Sequence, residues 1–341
     1  MSSSQIDTPN VTTELTRDLD ALLSQAVEQN IVHSVTFALT GPNDLIYEGG
    51  FGPNGSLDAV AAIASMTKPL TCLAALQLVA QGKLSLDQPV SEIVPEFSTI
   101  QLFDGVDEAG GVVMRPPATP VTLRHLLTHT SGLGYDTWSD KVIAYRHAMG
   151  LAEILPHEAR IPATPLIFEP GTAWHYSTAI DWIGRMIEEV SGKRLGAAMR
   201  AQIFEPLGMN STGFEITADM RARLMPLTNR VGRKAVIDAT YDPPSVPVSH
   251  GGGGGLYSST GDYLRFLQAM LRGGSGLLPE HWFDEFARDQ IAALSVQPLH
   301  STHPARSNHV HILPGIDKGW SFGFMVNRRA IPGRRAAQSL A

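Results

Sequence analysis

The sequence predicts an α/β protein of the α+β kind, in which strands from both chain ends form one sheet around inserted helices. Three observations predict this class. An amphipathic helix near the start precedes two strands, a nearly all-apolar helix occupies residues 65–82, and another strand, "GWSFGFMVN", lies near the end. We therefore expect one domain over residues 13–341, with a sheet region at about 13–64 and 250–341, a helical region at about 65–249, and a disordered lead-in over residues 1–12.

The first elements follow from the spacing of apolar residues. Residues 13–30 place leucines and a valine at helical intervals among polar residues, which predicts an amphipathic helix. "HSVTFALTG" and "DLIYEGGFG" flank the turn at residues 41–44 and predict a β-hairpin. Residues 65–82 are apolar on every side and end at Gly82, which is typical of a buried central helix.

The later elements alternate between loops and helices. "VTLRHLLTHTSGL" predicts a short helix ended by Gly132, and a Pro-Gly loop leads into a helix that starts near Ser177. The five glycines at 251–255 precede a helix for which Thr260 is a plausible N-cap. The glycine run is too short for a linker, so it indicates a close approach of the backbone to another group.

Composition excludes several classes of partner. The 341 residues are 43% hydrophobic and 17% charged, with a net charge of −7 and no cluster of Lys or Arg, so we expect neither a nucleic-acid nor a membrane partner. The start lacks the pattern of a secretory signal, and no run of 18 apolar residues occurs, which predicts a cytoplasmic protein. The single cysteine, Cys72, excludes an internal disulfide and is expected to be a buried small hydrophobic residue.

A hydroxyl and an amine lie three residues apart where the apolar helix begins. Ser65 and Lys68 would share one helix face. Serine is a weak nucleophile until a base takes its proton, and we expect burial to lower the pKa of Lys68 enough for that role. The alternative is a serine N-cap beside an exposed lysine, but this helix offers hardly any polar face. Tyr176, before the later helix, is a candidate for proton transfer or for simple aromatic packing.

Other motifs are weaker. "GWSFG" around Ser321 fits the nucleophile pattern of α/β-hydrolases, but no His, Asp or Glu follows it. The histidines at 300, 303, 309 and 311 lack an acidic or thiol partner and indicate a polar surface loop. His125 and His129 lack the Glu of a zincin motif. We therefore predict neither a metal site nor a cofactor.

Five segments together resemble the serine β-lactamase and penicillin-binding-protein superfamily. They stand in the family's order and cover most of residues 15–275: "IASMTKPLTCLAALQLVAQGKLSLDQPVSEIVPEF", "VTLRHLLTHTSGLGY", "FEPGTAWHYSTAIDWIGRMIEEVSG", "IFEPLGMNSTGF" and "GGGGGLYSSTGDYLRFLQAML". Within that superfamily the chain resembles the class C β-lactamase-like branch, which includes family VIII carboxylesterases and the acyltransferase of statin biosynthesis.

The resemblance implies a β-lactamase/transpeptidase-like fold, a mostly antiparallel sheet flanked by helices with a helical subdomain. It implies Ser65 as nucleophile, Lys68 as general base and Tyr176 as the proton-transfer residue. It also implies that Tyr135 lines the acyl pocket. Thr178 stands where many members have Asn, which favours the esterase branch.

The family's third motif lies on a strand that is expected to follow residue 341, so we expect the C-terminal strands to be missing. The resemblance implies a serine carboxylesterase that acts through an acyl-enzyme on a small ester. Three alternatives stay open: a β-lactamase or D-alanyl peptidase, an acyltransferase to an alcohol, and a non-catalytic or inactive truncated member.

Overall fold

The computed structural model describes residues 13–151 and 164–341, so the lead-in predicted over residues 1–12 lies outside the described residues. The helices of the described ranges are, in chain order, α1 (Thr13–Glu28), α2 (Thr67–Ala80), α3 (Leu123–Leu127), α4 (Asp140–Ala148), α5 (Ala179–Ser191), α6 (Leu195–Met199), α7 (Glu205–Leu207), α8 (Ala218–Ala222), α9 (Thr260–Leu271) and α10 (Glu280–Ala287). Short 3₁₀ turns occupy Ala64–Met66, Val90–Glu92, Pro95–Thr99 and Asp136–Trp138, and a π-helical turn occupies Arg200–Phe204.

The strands of the same ranges are β1 (Val35–Thr40), β2 (Leu45–Phe51), β3 (Val60–Ala62), β4 (Leu102–Val106), β5 (Val112–Arg115), β6 (Thr228–Val231), β7 (Lys234–Ile237), β8 (Tyr257–Ser259), β9 (Lys318–Trp320) and β10 (Met325–Asn327). Each described strand pairs antiparallel with one other, as β1–β2, β3–β8, β4–β5, β6–β7 and β9–β10. The predicted boundaries of a sheet region and a helical region stay a prediction.

One compact unit holds residues 13–63, 203–247 and 256–276 of the described chain. Its β1–β2 hairpin confirms the prediction from the turn at residues 41–44 and is contacted by α1 and α9. The Tyr47 hydroxyl donates a hydrogen bond to the Asp20 carboxylate over 2.6 Å, which ties α1 to β2. A small apolar core of this unit consists of Val60, Ile216 and Met220.

The second compact unit holds residues 64–202, 248–255 and 277–341, apart from the undescribed residues 152–163, and contains every predicted site residue. Its centre is α2, in which every side chain from Thr67 to Val79 is buried. Helices α5, α6 and α10 pack against α2, so the apolar surface on all its sides is covered. Each fully buried leucine contributes about 1.5–3 kcal/mol by leaving water.

Several predicted boundaries were wrong in detail. The helix predicted from residue 65 begins at Thr67, with Met66 at the N-cap position, because Ser65 lies in the preceding 3₁₀ turn. Ser259, not Thr260, caps α9 by accepting a hydrogen bond from the amide of Asp262. The segment 319–327 belongs to a hairpin of two short strands instead of one strand. The chain reverses between them, and the Ser321 amide donates a hydrogen bond to the Phe324 carbonyl in that turn. Among the described residues, no helix is both long and apolar enough to cross a membrane.

Candidate active site

Ser65 lies in the 3₁₀ turn Ala64–Met66 immediately before α2, and its side chain is exposed. The residue before it, Ala64, has a φ of 44°, in the left-handed region that non-glycine residues rarely adopt. Such conformations persist where the surrounding structure holds them, often at functional sites. The turn therefore presents the Ser65 hydroxyl to solvent, one residue before the N-cap position of α2.

Lys68 lies in the first turn of α2 and is only 3% exposed. Its Nζ atom donates hydrogen bonds to Ser65 Oγ over 3.1 Å, to Tyr135 Oη over 3.2 Å and to the carbonyl of Gly253 over 2.5 Å. An ammonium group has three N–H donors, and these three acceptors use all of them. The structure thus brings the predicted hydroxyl and amine together, with the hydroxyl exposed and the amine enclosed.

The expected lowering of the Lys68 pKa was wrong. Burial lowers the pKa of Lys68, but the neighbouring Tyr135, Tyr176 and Asp181 raise it by more, so the pKa lies above its ordinary value. The sequence indicated the apolar helix around Lys68 and gave no sign of the oxygen-rich surroundings of its tip. In the resting site, Lys68 is therefore an ammonium ion.

Two tyrosine rings lie beside that ammonium ion. Lys68 Nζ is 4.8 Å from the ring centre of Tyr176 and 5.5 Å from that of Tyr135, within the range of cation–π attraction. The two rings are 5.7 Å apart. The pKa of Tyr135 is raised to about 12, mainly by burial; the charge of Lys68 lowers it and Asp181 adds to the rise. The predicted Tyr135 and Tyr176 therefore both belong to the surroundings of Lys68, and Tyr135 accepts its hydrogen bond directly.

The His129 ring packs against the Tyr176 ring. The two rings are 4.7 Å apart, and His129 Nδ1 accepts a hydrogen bond from the backbone amide of Ser177 over 3.2 Å. Because Nδ1 is an acceptor, the neutral ring carries its proton on Nε2. Burial, followed by the charge of Lys68, holds the pKa of His129 well below its usual range. Sequence reasoning treated His129 only as a rejected metal ligand and missed this contact.

The glycine run lies against both α2 and α5, which are the groups in the close backbone approach that the sequence predicted. The Gly252 carbonyl accepts a hydrogen bond from Thr71 Oγ1 over 2.8 Å, and the Gly253 amide donates to Asp181 Oδ1 over 2.8 Å. A Cβ atom on Gly252 would lie 2.7 Å from the carbonyl oxygen of Ile180. The run therefore brings backbone close enough to bond Lys68. Asp181 was not predicted as a site residue, since an acidic residue in a first helical turn is common.

An apolar cavity of about 280 Å³ lies beside Tyr176. Three tryptophans, Trp138, Trp174 and Trp320, line it together with aliphatic side chains and a few polar ones, among them Lys318 and Arg335. Tyr176 itself forms part of the wall, and its ring also lies within 6.1 Å of the Trp320 ring. A small-molecule pocket of this kind has mostly apolar walls and few polar groups. Tyr135 is not part of this wall, and its predicted place in an acyl pocket stays a prediction.

The other motifs considered from the sequence do not form a second catalytic or metal site in the described residues. Ser321 is fully buried in the turn between β9 and β10, with no helix after it, so the α/β-hydrolase motif is absent at this position. His309 accepts a hydrogen bond from the amide of Ser301 within the predicted loop. In the described ranges, no group of three or more His, Cys, Asp or Glu side chains is arranged to hold a metal ion. Cys72 is free and buried, as predicted.

The chain is similar to known proteins over most of its length. A family model described as Beta-lactamase matches residues 19–337. Esterase EstB of Burkholderia gladioli is 31% identical over an alignment that covers 80% of this chain and 74% of that protein. ML-236A carboxylate methylbutanoyltransferase mlcH of Penicillium citrinum is 32% identical, covering 89% of this chain and 75% of that protein.

A solved structure gives the same result for the fold. The LovD6 mutant of simvastatin synthase from Aspergillus terreus superposes with a TM-score of 0.78 at 26% identity, covering 98% of this chain and 87% of that one. These matches confirm the resemblance stated from the motifs, and with it a β-lactamase/transpeptidase-like fold of helices and antiparallel strands.

Proposed function

Because the chain belongs to the beta-lactamase family, we propose that it is a serine carboxylesterase that works through an acyl-enzyme on Ser65. Ser65 attacks the ester carbonyl, Lys68 and Tyr176 manage the proton, and water releases the acyl group. No metal or organic cofactor takes part. The relatives named as an esterase and as an acyltransferase support acyl chemistry at this site.

One observation carries the proposal. The exposed Ser65 hydroxyl accepts a hydrogen bond from the enclosed Lys68 ammonium over 3.1 Å. A nucleophile and its proton acceptor must be within about 2.6–3.2 Å of each other. An exposed structural lysine would place its charge in water. The Nζ atom of Lys68 instead donates hydrogen bonds to Ser65 Oγ, Tyr135 Oη and a backbone carbonyl.

The raised pKa of Lys68 decides how the proton moves. The lysine rests as an ammonium ion, so the reactive state is the one in which Lys68 and Tyr176 together have lost one proton. That state has either a free amine or a phenolate beside an ammonium, and both forms carry the same net charge. Whichever base holds the electron pair takes the proton of Ser65 as the oxygen attacks, and returns it to the leaving alcohol.

The cavity beside Tyr176 supplies a place for the apolar part of an ester. Its three tryptophans and aliphatic walls favour contact with a hydrocarbon or a ring system. We therefore propose neutral esters with an apolar acyl or alcohol portion as the substrates.

Acyl transfer to an alcohol is the second candidate, because relatives are named as methylbutanoyltransferases. Hydrolysis and transfer share the acyl-enzyme and differ in which nucleophile releases it. An apolar pocket next to the site suits an alcohol that carries a hydrocarbon skeleton. Partition of a single acyl-enzyme between water and an added alcohol distinguishes the two activities.

The test begins with a fluorophosphonate probe, which forms a stable adduct with activated serines. We expect one adduct on Ser65, located by peptide mass spectrometry, and its loss in Lys68→Met. Ser321→Ala is the matched control. Because Ser321 is buried and should not react with the probe, this variant should be labelled on Ser65 like wild type. A folded protein without an adduct would support a non-catalytic member, and an adduct on Ser321 would overturn the assignment.

Substrate class follows from the same protein. We expect release of p-nitrophenol from a p-nitrophenyl butyrate ester, and little turnover of a chromogenic β-lactam. Addition of a neutral alcohol that lowers free acid and yields a new ester would establish transfer. Faster turnover of the β-lactam than of the ester would refute the carboxylesterase proposal.

A further inference from the structure

Asp181 is a carboxylate that the proposed proton path does not use. It lies in the first turn of α5, one residue after Ile180, and accepts a hydrogen bond from the Gly253 amide over 2.8 Å. Burial raises the pKa of Asp181, while the charge of Lys68 and the Gly253 amide lower it. A carboxylate turned toward the interior is costly unless the surrounding groups compensate for it.

A single glycine links this carboxylate to the lysine. The amide of Gly253 bonds Asp181, and the carbonyl of the same residue accepts the hydrogen bond from Lys68 over 2.5 Å. On the neighbouring residue, the Gly252 carbonyl accepts from Thr71, which holds the run against α2. The position of the lysine's backbone acceptor is therefore fixed from both helices.

The close approach requires glycine at this point. A Cβ atom on Gly253 would lie 2.8 Å from Asp181 Oδ2 and 3.1 Å from its Cγ. Any side chain would push the carboxylate or the run aside, and the Lys68 acceptor would move with the run. The glycines and Asp181 thus form one arrangement, although about 70 residues of chain separate them (Asp181 and Gly253).

We propose that Asp181 is a positioning residue for Lys68, which acts through Gly253 by fixing the lysine's carbonyl acceptor and by placing negative charge near the ammonium group. The inference rests on the proposed function for its catalytic consequence. Its physical content, the coupling of Asp181 to Lys68, is independent of which substrate the protein uses.

Other groups also face Lys68. The phenols of Tyr135 and Tyr176 raise its pKa, and Lys68 in turn lowers the pKa values of the Cys72 thiol and of His129. Neutral Cys72 and neutral His129 add no charge near neutral pH. Asp181 is therefore the carboxylate among the described groups whose removal changes the charge around the lysine.

The test replaces the carboxylate without removing its acceptor oxygen. In Asp181→Asn, the amide oxygen still accepts from Gly253, but the negative charge is gone. Glu189→Gln is the matched control, since it removes one carboxylate from an exposed position of the same helix. The rate of fluorophosphonate labelling of Ser65 is measured against pH for wild type and both variants, after circular dichroism has established that each is folded.

We expect the rising limb of the Asp181→Asn profile to shift to lower pH by about 0.5 unit or more, because loss of a nearby anion makes the ammonium easier to deprotonate. Glu189→Gln should superpose on wild type. Superposition of Asp181→Asn on wild type, or an equal shift in Glu189→Gln, would overturn the inference.

A second measurement does not depend on catalysis. The Lys68 ¹³Cε resonance, assigned by its absence in Lys68→Met, is followed against pH by NMR. It should leave its ammonium position at lower pH in Asp181→Asn than in wild type. If wild-type Ser65 is not labelled, the proposed function fails and this titration still decides the role of Asp181; an unchanged titration would refute that role even in an active enzyme.

Discussion

Replacing Gly252 by alanine inserts a methyl group between α2 and α5. The new Cβ would lie 2.7 Å from the carbonyl oxygen of Ile180, 3.2 Å from Thr71 Cγ2 and 3.3 Å from the Cα atom of Gly184. Two of these three atoms belong to helix backbone and cannot rotate away. Gly254 gives a matched control two residues along, because a Cβ there would meet nothing closer than 3.8 Å.

The magnitude follows from two opposing effects. Overpacking of a well-packed interior costs about 1–3 kcal/mol. Replacing glycine by alanine also restricts the unfolded chain, which stabilises the fold by about 0.4–1 kcal/mol where the backbone is compatible. We therefore expect Gly252→Ala to lose about 1–2 kcal/mol of unfolding free energy, and Gly254→Ala to gain about 0.4–1 kcal/mol.

The assay is urea unfolding followed by far-UV circular dichroism, with both variants and wild type at one temperature. Equal slopes in denaturant allow the midpoints to be compared directly. Ser65 labelling by the fluorophosphonate should also slow in Gly252→Ala, because displacement of the run moves the Gly253 carbonyl away from Lys68. Equal midpoints for the two variants would refute the close packing of the run against α5.

Two further predictions concern the rings around Lys68. Tyr176→Phe should lower the rate of ester turnover by roughly 10²–10⁴ with an unchanged melting temperature, because it removes a proton-transfer group. If Tyr135→Phe shows this loss and Tyr176→Phe keeps the wild-type rate, Tyr135 is the proton-transfer residue instead. The pKa of His129 lies below its ordinary value, as do those of His125 and His175, each mainly through burial. The unfolded chain therefore binds more protons below about pH 6.5, so stability is present above that pH and is lost as the pH falls. Melting temperatures measured from pH 8 to pH 5 should show this fall, and His129→Asn should reduce its slope; an unchanged slope would mean that His129 does not contribute.

Much of the fold could be predicted from periodicity and turn chemistry. The amphipathic α1, the β1–β2 hairpin and the all-apolar α2 depend on local spacing, and each lies within a few residues of its prediction. The β4–β5 and β6–β7 hairpins were not predicted. Their strands are short, and part of each is exposed, so they lack the apolar alternation that marks a half-buried strand.

In the site as well, the contact between residues close in sequence could be predicted, and the contacts between distant segments could not. Ser65 and Lys68 are three residues apart, so helix geometry alone indicated their pairing. The partners that set the lysine's charge, Tyr135, Tyr176 and Asp181, come from distant segments, and spacing carries no information about such contacts. The sequence indicates that Lys68 is buried, but it does not indicate the oxygen atoms that raise the pKa of Lys68. The predicted direction of the Lys68 pKa was therefore wrong.

The tryptophans in the cavity wall allow ligand binding to be followed by intrinsic fluorescence. Trp138, Trp174 and Trp320 are three of the five tryptophans of the chain, and all three line the cavity beside Tyr176. An apolar molecule that enters the cavity changes the surroundings of these three indoles, so we expect the intrinsic emission to respond to occupancy. Steady-state fluorescence then follows binding of unmodified esters in Ser65→Ala, where no product forms, and separates recognition from turnover without any attached label.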